Sequence, residues 1–305
     1  DVFFVMIDEI TISHPANANP NLPAGVDVSS IFVRLKAGLP EGQYNGETLT
    51  FTSGDASAAI TLNGEVTDVQ HIMSDSQTIN GDLIISESNR YQITSTGILT
   101  VNGNLTCDNP SQLVIEDGGQ LFCNSANVQA TFHKIIEKTT NDSNAWYTIA
   151  SPMSNPTIQN LTSNTFDIYA YDEDAYQEEW QNYRVNSFDF EPGHGYLYAN
   201  SAAAGEENTD LIMTGILTPS NTSVTVSLSY GSTYEGVRGY NLIGNPYSHN
   251  ISMNVVKVNG TAITEFYRLS NGSQLERFTS GEILPGESFF IKATAPNQSV
   301  VIGGE

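Results

Sequence analysis

The phrase WYTIASPM at 146–153 returns as YNLIGNPY at 240–247, and the landmarks after it return in the same order. Each copy is followed by an aromatic strand, Phe166–Tyr171 and then Phe266–Leu269. Next come a Pro-Gly turn and a second aromatic strand, Pro192–Tyr198 and then Pro285–Ile291. Each copy closes on an apolar stretch ending in Gly, Leu211–Gly215 and Val300–Gly304. The offset stays near about 94 residues, which is the mark of a duplicated structural unit. A duplication tests its own residues. What both copies keep is needed by the fold, and what one copy alone holds is free for function or drift.

The stretches between these landmarks alternate apolar and polar residues, as in Val224-Thr-Val226-Ser-Leu228, and no segment carries a helical period. Aromatics make up 10% of the chain, and Thr, Ser, Asn and Gly punctuate it, so the fold class expected is all-β. Residues 139–305 read as a duplicated β-sandwich or jelly-roll-like region with repeats at about 140–218 and 234–305.

Ahead of it, residues 68–138 carry a shorter period of about 22. Ile79, Gly81, Leu83 and Ile85 map onto Val101, Gly103, Leu105 and Cys107, while Leu99 and Val101 map onto Leu121 and Cys123. Short apolar bursts with Gly or Asn at the corners read as rungs of a parallel β-helix. Such a short stack cannot cap its own ends, so it is expected to pack on its neighbours. The same register points Cys107 and Cys123 inward, as buried thiols first and a disulfide second.

Residues 1–67 alternate with period two over Ile31–Leu35, Thr48–Phe51 and Ile60–Leu62, around the turn-rich Gly38–Gly46. The string VRLKAGLPEGQYNGETLTFTSGDASAAITLNGEV resembles Ig-like β-sandwich modules of exported Bacteroidetes proteins, which implies that fold here. WYTIASPM, GHGYLYA and GYNLIGNPY together are similar to a C-terminal module of large secreted Bacteroidetes proteins that often precedes a type IX secretion sorting domain. The resemblance implies an extracellular or outer-surface location and carries no activity with it.

Charge narrows the partners. Only 11 Lys and Arg stand against 34 Asp and Glu, a formal net charge of −23. Such a surface repels phosphates, so nucleic acid is not expected as a partner. No run has the length of a membrane span, so no insertion is expected either. The chain begins at Asp1 and reads as a fragment of an exported protein, a monomer with an extracellular glycan or protein as ligand.

Chemistry-bearing residues thin out under the repeat test. His194 in a Gly-His-Gly turn aligns with Glu287, and Ser151 before Pro152 aligns with Asn245 before Pro246. A base or nucleophile would not recur as these residues, so no catalytic residue is assigned and an enzyme is not expected. The acidic run Asp172-Glu173-Asp174 with Glu178 has no match in the second copy. It reads as a solvated loop, with a Ca²⁺ site through Asp172, Asp174 and Glu178 as the alternative, since that cation takes six or more oxygens. Tyr176, Trp180 and Tyr183 around this loop are candidate ligand-binding residues, a sugar platform weighed against plain core packing. Trp146, whose place Tyr240 takes in the second copy, is assigned to the core.

The leading functional expectation is a non-catalytic surface module, adhesin-like or a structural spacer. The alternatives are a carbohydrate-binding accessory region, which requires Trp180 to be exposed, and a polysaccharide-active β-helix enzyme using Asp82, Glu87, Arg90, Asp108, Glu116 and Asp117.

Overall fold

The computed structural model describes residues 7–13, 30–35, 42–53, 56–66, 69–136, 146–159, 166–175, 178–200, 209–270 and 274–303. The chain divides into two compact units, residues 1–70 with 86–90, and residues 71–85 with 91–305. Strands dominate both, and the protein is all-β.

In the first unit, Ile7–Ser13 pairs antiparallel with Ser30–Leu35, and Gly42–Ser53 pairs along its length with Ala56–Val66. Gly42–Gly46 lies inside a strand, where the sequence reads as loop. The turn former Gly46 has φ +97 and sits where the register shifts between Asn45 and Glu47, so it serves as a bulge rather than a chain reversal. Residues 36–41, which hold the Gly38-Leu39-Pro40-Glu41 start of the Ig-like loop phrase, lie outside the described residues.

The second unit opens with the rungs. Leu83–Ile85 lies parallel to Leu105–Cys107, Tyr91 pairs with Leu113, and Ile98 pairs with both Ser76 and Gln120. Each of these partners is 22 residues away, so the buried positions of one rung, such as Leu83, Ile93 and Leu99, stack on the buried positions of the next, Leu105, Ile115 and Leu121. Leu83, Ile85, Ile93, Leu99, Leu105, Leu113, Ile115 and Leu121 fill the interior. Cys107 sits over Ile85 and Cys123 over Val101, both thiols free and buried. Burial pushes each thiol up to about 11. Outside, Asn102 donates to Asn80 at 2.9 Å, one corner of the stack bonding the next.

The rungs end by merging into the first copy of the duplication. Gln129–Ile136 pairs parallel with Leu113–Ile115 on one side and antiparallel with Thr209–Leu217 on the other. This strand therefore ends the stack and also begins the first copy, upstream of its recognisable phrases.

Each copy is a two-layer sandwich with one strand order. In the first half the layers run Met153–Ile158, Thr209–Leu217, Gln129–Ile136, and Trp146–Ala150, Gly195–Asn200, Phe166–Tyr171, Trp180–Asn182. In the second half they run Val256–Val258, Gln298–Ile302, Val224–Leu228, and Tyr240–Gly244, Ser288–Lys292, Phe266–Ser270, Gln274–Phe278. Between its layers the first half buries Ile149, Phe166, Ile168, Tyr196 and Met213 in a core continuous with the rungs. The second half has a separate core of Ile243, Tyr247, Phe266, Phe289, Val300 and Ile302.

The halves meet through reciprocal contacts. Ala150 N–H donates to Gly286 O at 3.0 Å, and its counterpart Gly244 N–H donates to Gly193 O at 2.9 Å. Ile149 bridges to Glu287, and the counterparts Ile243 and His194 bridge likewise. Residue i meeting j while j's counterpart meets i's is how two-fold related surfaces dock. At the centre only small residues fit. A Cβ on Gly244 would stand 2.5 Å from Ala150 Cβ, and one on Gly195 would stand 2.6 Å from Ser288 Cβ.

Two outcomes are expected. Gly244→Val drives a branched side chain into Ala150 and His194, and should cost about 1–3 kcal/mol in urea unfolding, the range for overpacked cores. An unchanged midpoint would show that the halves are free to separate. The thiols set a pH dependence. Their pKa is raised on folding from an ordinary value of 9.0 to about 11, so the stability they carry is complete below pH 9 and is lost as pH rises through 11. Unfolding free energy should fall over that window, and fall less in the Cys107→Ala/Cys123→Ala double variant.

Candidate functional site

Where the halves pull apart beyond the seam, their four-stranded sheets leave an apolar groove of about 440 Å³. Strand alternation decides what faces it. In Trp146–Ala150, Tyr147 and Ile149 turn to the first core, so Trp146 and Thr148 turn toward the second half. Thr148 Oγ1 donates across the seam to Ser288 O at 3.0 Å. By the same alternation Tyr169 and Leu197 face outward while Ile168, Tyr196 and Tyr198 are core. Trp180 completes the first half's wall. Leu269, Leu275 and Phe290 form the opposite wall.

The rings hold one another edge to face, except for the tilted Tyr171–Trp180 pair. Trp146 meets Tyr169 at 5.5 Å between centroids, and Tyr171 stands 4.8 Å from Trp180 and 5.4 Å from Phe290. Trp180 reaches Phe290 at 6.3 Å and is 37% exposed, which keeps it available to a ligand. Burial pushes the Tyr171 phenol far up, with the Glu173 and Glu179 carboxylates adding to it, so this ring is neutral at any ordinary pH.

Of the two candidate ligand-binding residues that are described, Trp180 lines the groove and Tyr183 does not. Tyr183 turns the other way and packs on Phe188 at 5.2 Å and Phe190 at 6.1 Å, part of the first core. Tyr176 lies outside the described residues. Trp146 corrects the core assignment made from its repeat partner. It is half-buried and lines the groove, and Tyr240 is likewise outward, against Tyr267 with Lys292 Nζ 4.8 Å above its ring. Both copies keep an aromatic there because the position faces the other half, not because it faces a core.

The acidic loop divides its carboxylates between two tasks. Asp172 Oδ1 accepts the Asp174 N–H at 3.0 Å and closes a turn, while Asp174 and Glu178 are exposed. Among the described residues no group of three or more His, Cys, Asp or Glu is arranged to hold a metal ion. Glu173, passed over in sequence, is 1% exposed. Its carboxylate reaches into the second half and accepts N–H bonds from Gly231 at 2.9 Å, Ser232 at 3.2 Å and Gly239 at 2.7 Å. Three charge-assisted bonds of this kind compensate a buried carboxylate for lost water. Glu173 therefore pins the loop that carries Trp180.

Ser151, Asn245 and Asp82 hold backbone. Ser151 Oγ accepts from Met153 N–H at 3.1 Å and Asn245 Oδ1 from Tyr247 N–H at 3.0 Å, the same turn in both copies. Burial lowers the His194 pKa against the opposing pull of Glu191. In the rungs Asp82 accepts from Asn104 N–H at 2.7 Å, and Asp117 pairs with Lys134 Nζ at 2.9 Å.

Leu197, Leu269, Leu275 and Phe290 were not singled out in sequence. A signal was present for two of them: GYLYA, which holds Leu197, and SFFIK, which holds Phe290, are apolar on both faces, which a sheet needs only when each face is covered or used.

Over residues 55–274, well over half of the chain, the sequence matches the family model described as a domain of unknown function (DUF8693). No curated protein and no solved structure matches. No helix among the described residues is long and apolar enough to cross a membrane.

Glu173→Ala strands three backbone donors and should cost about 2–5 kcal/mol of stability. The readout is the urea midpoint together with tryptophan emission, which should shift as Trp180 loosens. An unchanged midpoint would show the carboxylate to be dispensable.

Proposed function

We propose that this chain, which belongs to the DUF8693 family, is a non-catalytic recognition module of an exported surface protein. The duplicated sandwich is the rigid scaffold and the groove between its halves is the recognition surface. One observation carries the reading: both tryptophans of the chain line this single groove, one of them exposed. Exposed apolar grooves with aromatic walls are where small ligands and partner side chains bind. The net charge of −23 and the resemblance to secreted Bacteroidetes modules support an extracellular or outer-surface setting. The Ser151 and Asn245 turns and the Asp117–Lys134 pair support a non-catalytic role, since each side chain is engaged in holding the fold.

A carbohydrate-binding accessory region is the second reading, and the exposure of Trp180 favours it. A glycan and extracellular-matrix array, probed with and without Ca²⁺ and repeated with Trp180→Ala, separates the two from a bare spacer. Recognition through the groove predicts signals that fall at least tenfold in Trp180→Ala, a change of about 1.4 kcal/mol or more. Signals that survive the substitution would move recognition elsewhere, and a blank array would leave the spacer role.

A further inference from the structure

We infer that the groove's occupant is an extended basic polypeptide segment bearing aromatic or aliphatic anchors, rather than a sugar. This rests on the groove being the recognition surface and adds the chemistry of what enters it. The walls decide against a glycan. Leu197, Leu269, Leu275 and Phe290 offer no polar atom, and among the other liners only two indole N–H groups and one phenol can bond. A sugar ring pressed into such walls leaves hydroxyls unpaired, at about 1–3 kcal/mol each. An apolar side chain has nothing to leave unpaired, and a groove of about 440 Å³ has room for such anchors.

Charge selects the rest of the partner. The loop leading into Trp180 exposes Asp174 and Glu178. The nearby cations are engaged: Arg277 Nε donates to Glu265 at 2.6 Å, Arg184 lies 3.6 Å from Asp167, and Lys292 sits over Tyr240. Exposed carboxylates on the loop that leads into Trp180, on a chain of net charge −23, favour Lys or Arg flanking the anchors and repel acidic peptides. The groove is bounded by Trp180–Asn182 and Gln274–Phe278, each the last strand of its sheet. An extended segment laid along such an edge points alternate side chains one way, so anchors enter the groove while the intervening Lys or Arg face the rim.

Both tryptophans line the groove, so tryptophan emission, excited to the red of tyrosine absorption, reports this site alone. The probes are a blocked pentapeptide alternating Lys with Phe and Leu, the same peptide with Glu for Lys, and maltohexaose. The Lys peptide should shift the emission saturably, lose at least tenfold in affinity at high salt, and lose as much in both Trp180→Ala and Leu275→Asp. Leu275 is 48% exposed, so its substitution leaves the fold intact. The Glu peptide should bind at least tenfold more weakly. Saturable maltohexaose binding without Lys-peptide binding would overturn the polypeptide occupant while leaving the recognition module standing. Equal binding of the Lys and Glu peptides would overturn the charge argument. Array signals with no fluorescence change from any probe would overturn the groove itself.

Discussion

Everything built on the second unit depends on the seam where each half meets its counterpart. Ala150 against Gly244 and Gly195 against Ser288 are small because two sheets can approach this closely only if no side chain intervenes. The reciprocal bonds Ala150 to Gly286 and Gly244 to Gly193 then fix the halves with main-chain groups, whose geometry no rotamer can relax. Gly193 and Gly286, at φ +86 and φ +75, supply the left-handed turn that presents those carbonyls. Duplication thus yields more than two copies of a fold. It gives a surface that fits itself.

The seam also explains why a recognition surface arises here. Two identical grooves would be expected to close or remain symmetric, but the copies have diverged at the rim. Tyr169 and Leu197 face their counterparts Leu269 and Phe290, whereas Trp180 and the pinned acidic loop belong to the first half alone. The rungs contribute rigidity. Leu121 N–H donates to Ser248 O at 2.8 Å, Asn250 N–H donates to Gln120 Oε1 at 3.0 Å, and Phe122 stacks on His249 at 4.2 Å, so the second half covers the end of the stack. The first half continues it through Gln129–Ile136. A stack too short to stand alone is held at one end by both halves.

Much of this was legible in the chain because local patterns carry it. The all-β class came from alternation and turn residues, and the period of 22 mapped Leu83 onto Leu105 and Ile85 onto Cys107, the very partners in the parallel ladder. The repeat landmarks mark three of the four strands in each half's groove-facing sheet and the central strand of its other layer, Thr209–Leu217 and Gln298–Ile302. Gln129–Ile136 and Val224–Leu228 share only alternation, and that pattern does not align itself, so the copies begin earlier than their phrases do. Glu173 was hidden for a different reason. Its partners are backbone N–H groups at least 58 residues away, and main-chain donors have no letter in a sequence. Trp146 and Tyr183 were misjudged as a pair because alternation fixes which residues share a face, not which face meets a core.

The most direct test is native-state hydrogen exchange at the Ala150 and Gly244 amides. If the seam holds the halves as one body, both amides exchange only with global unfolding, at matching free energies, despite lying in different copies. If either exchanges like a loop amide while the cores stay protected, the halves part in the native state, and neither the groove nor its occupant could be as described.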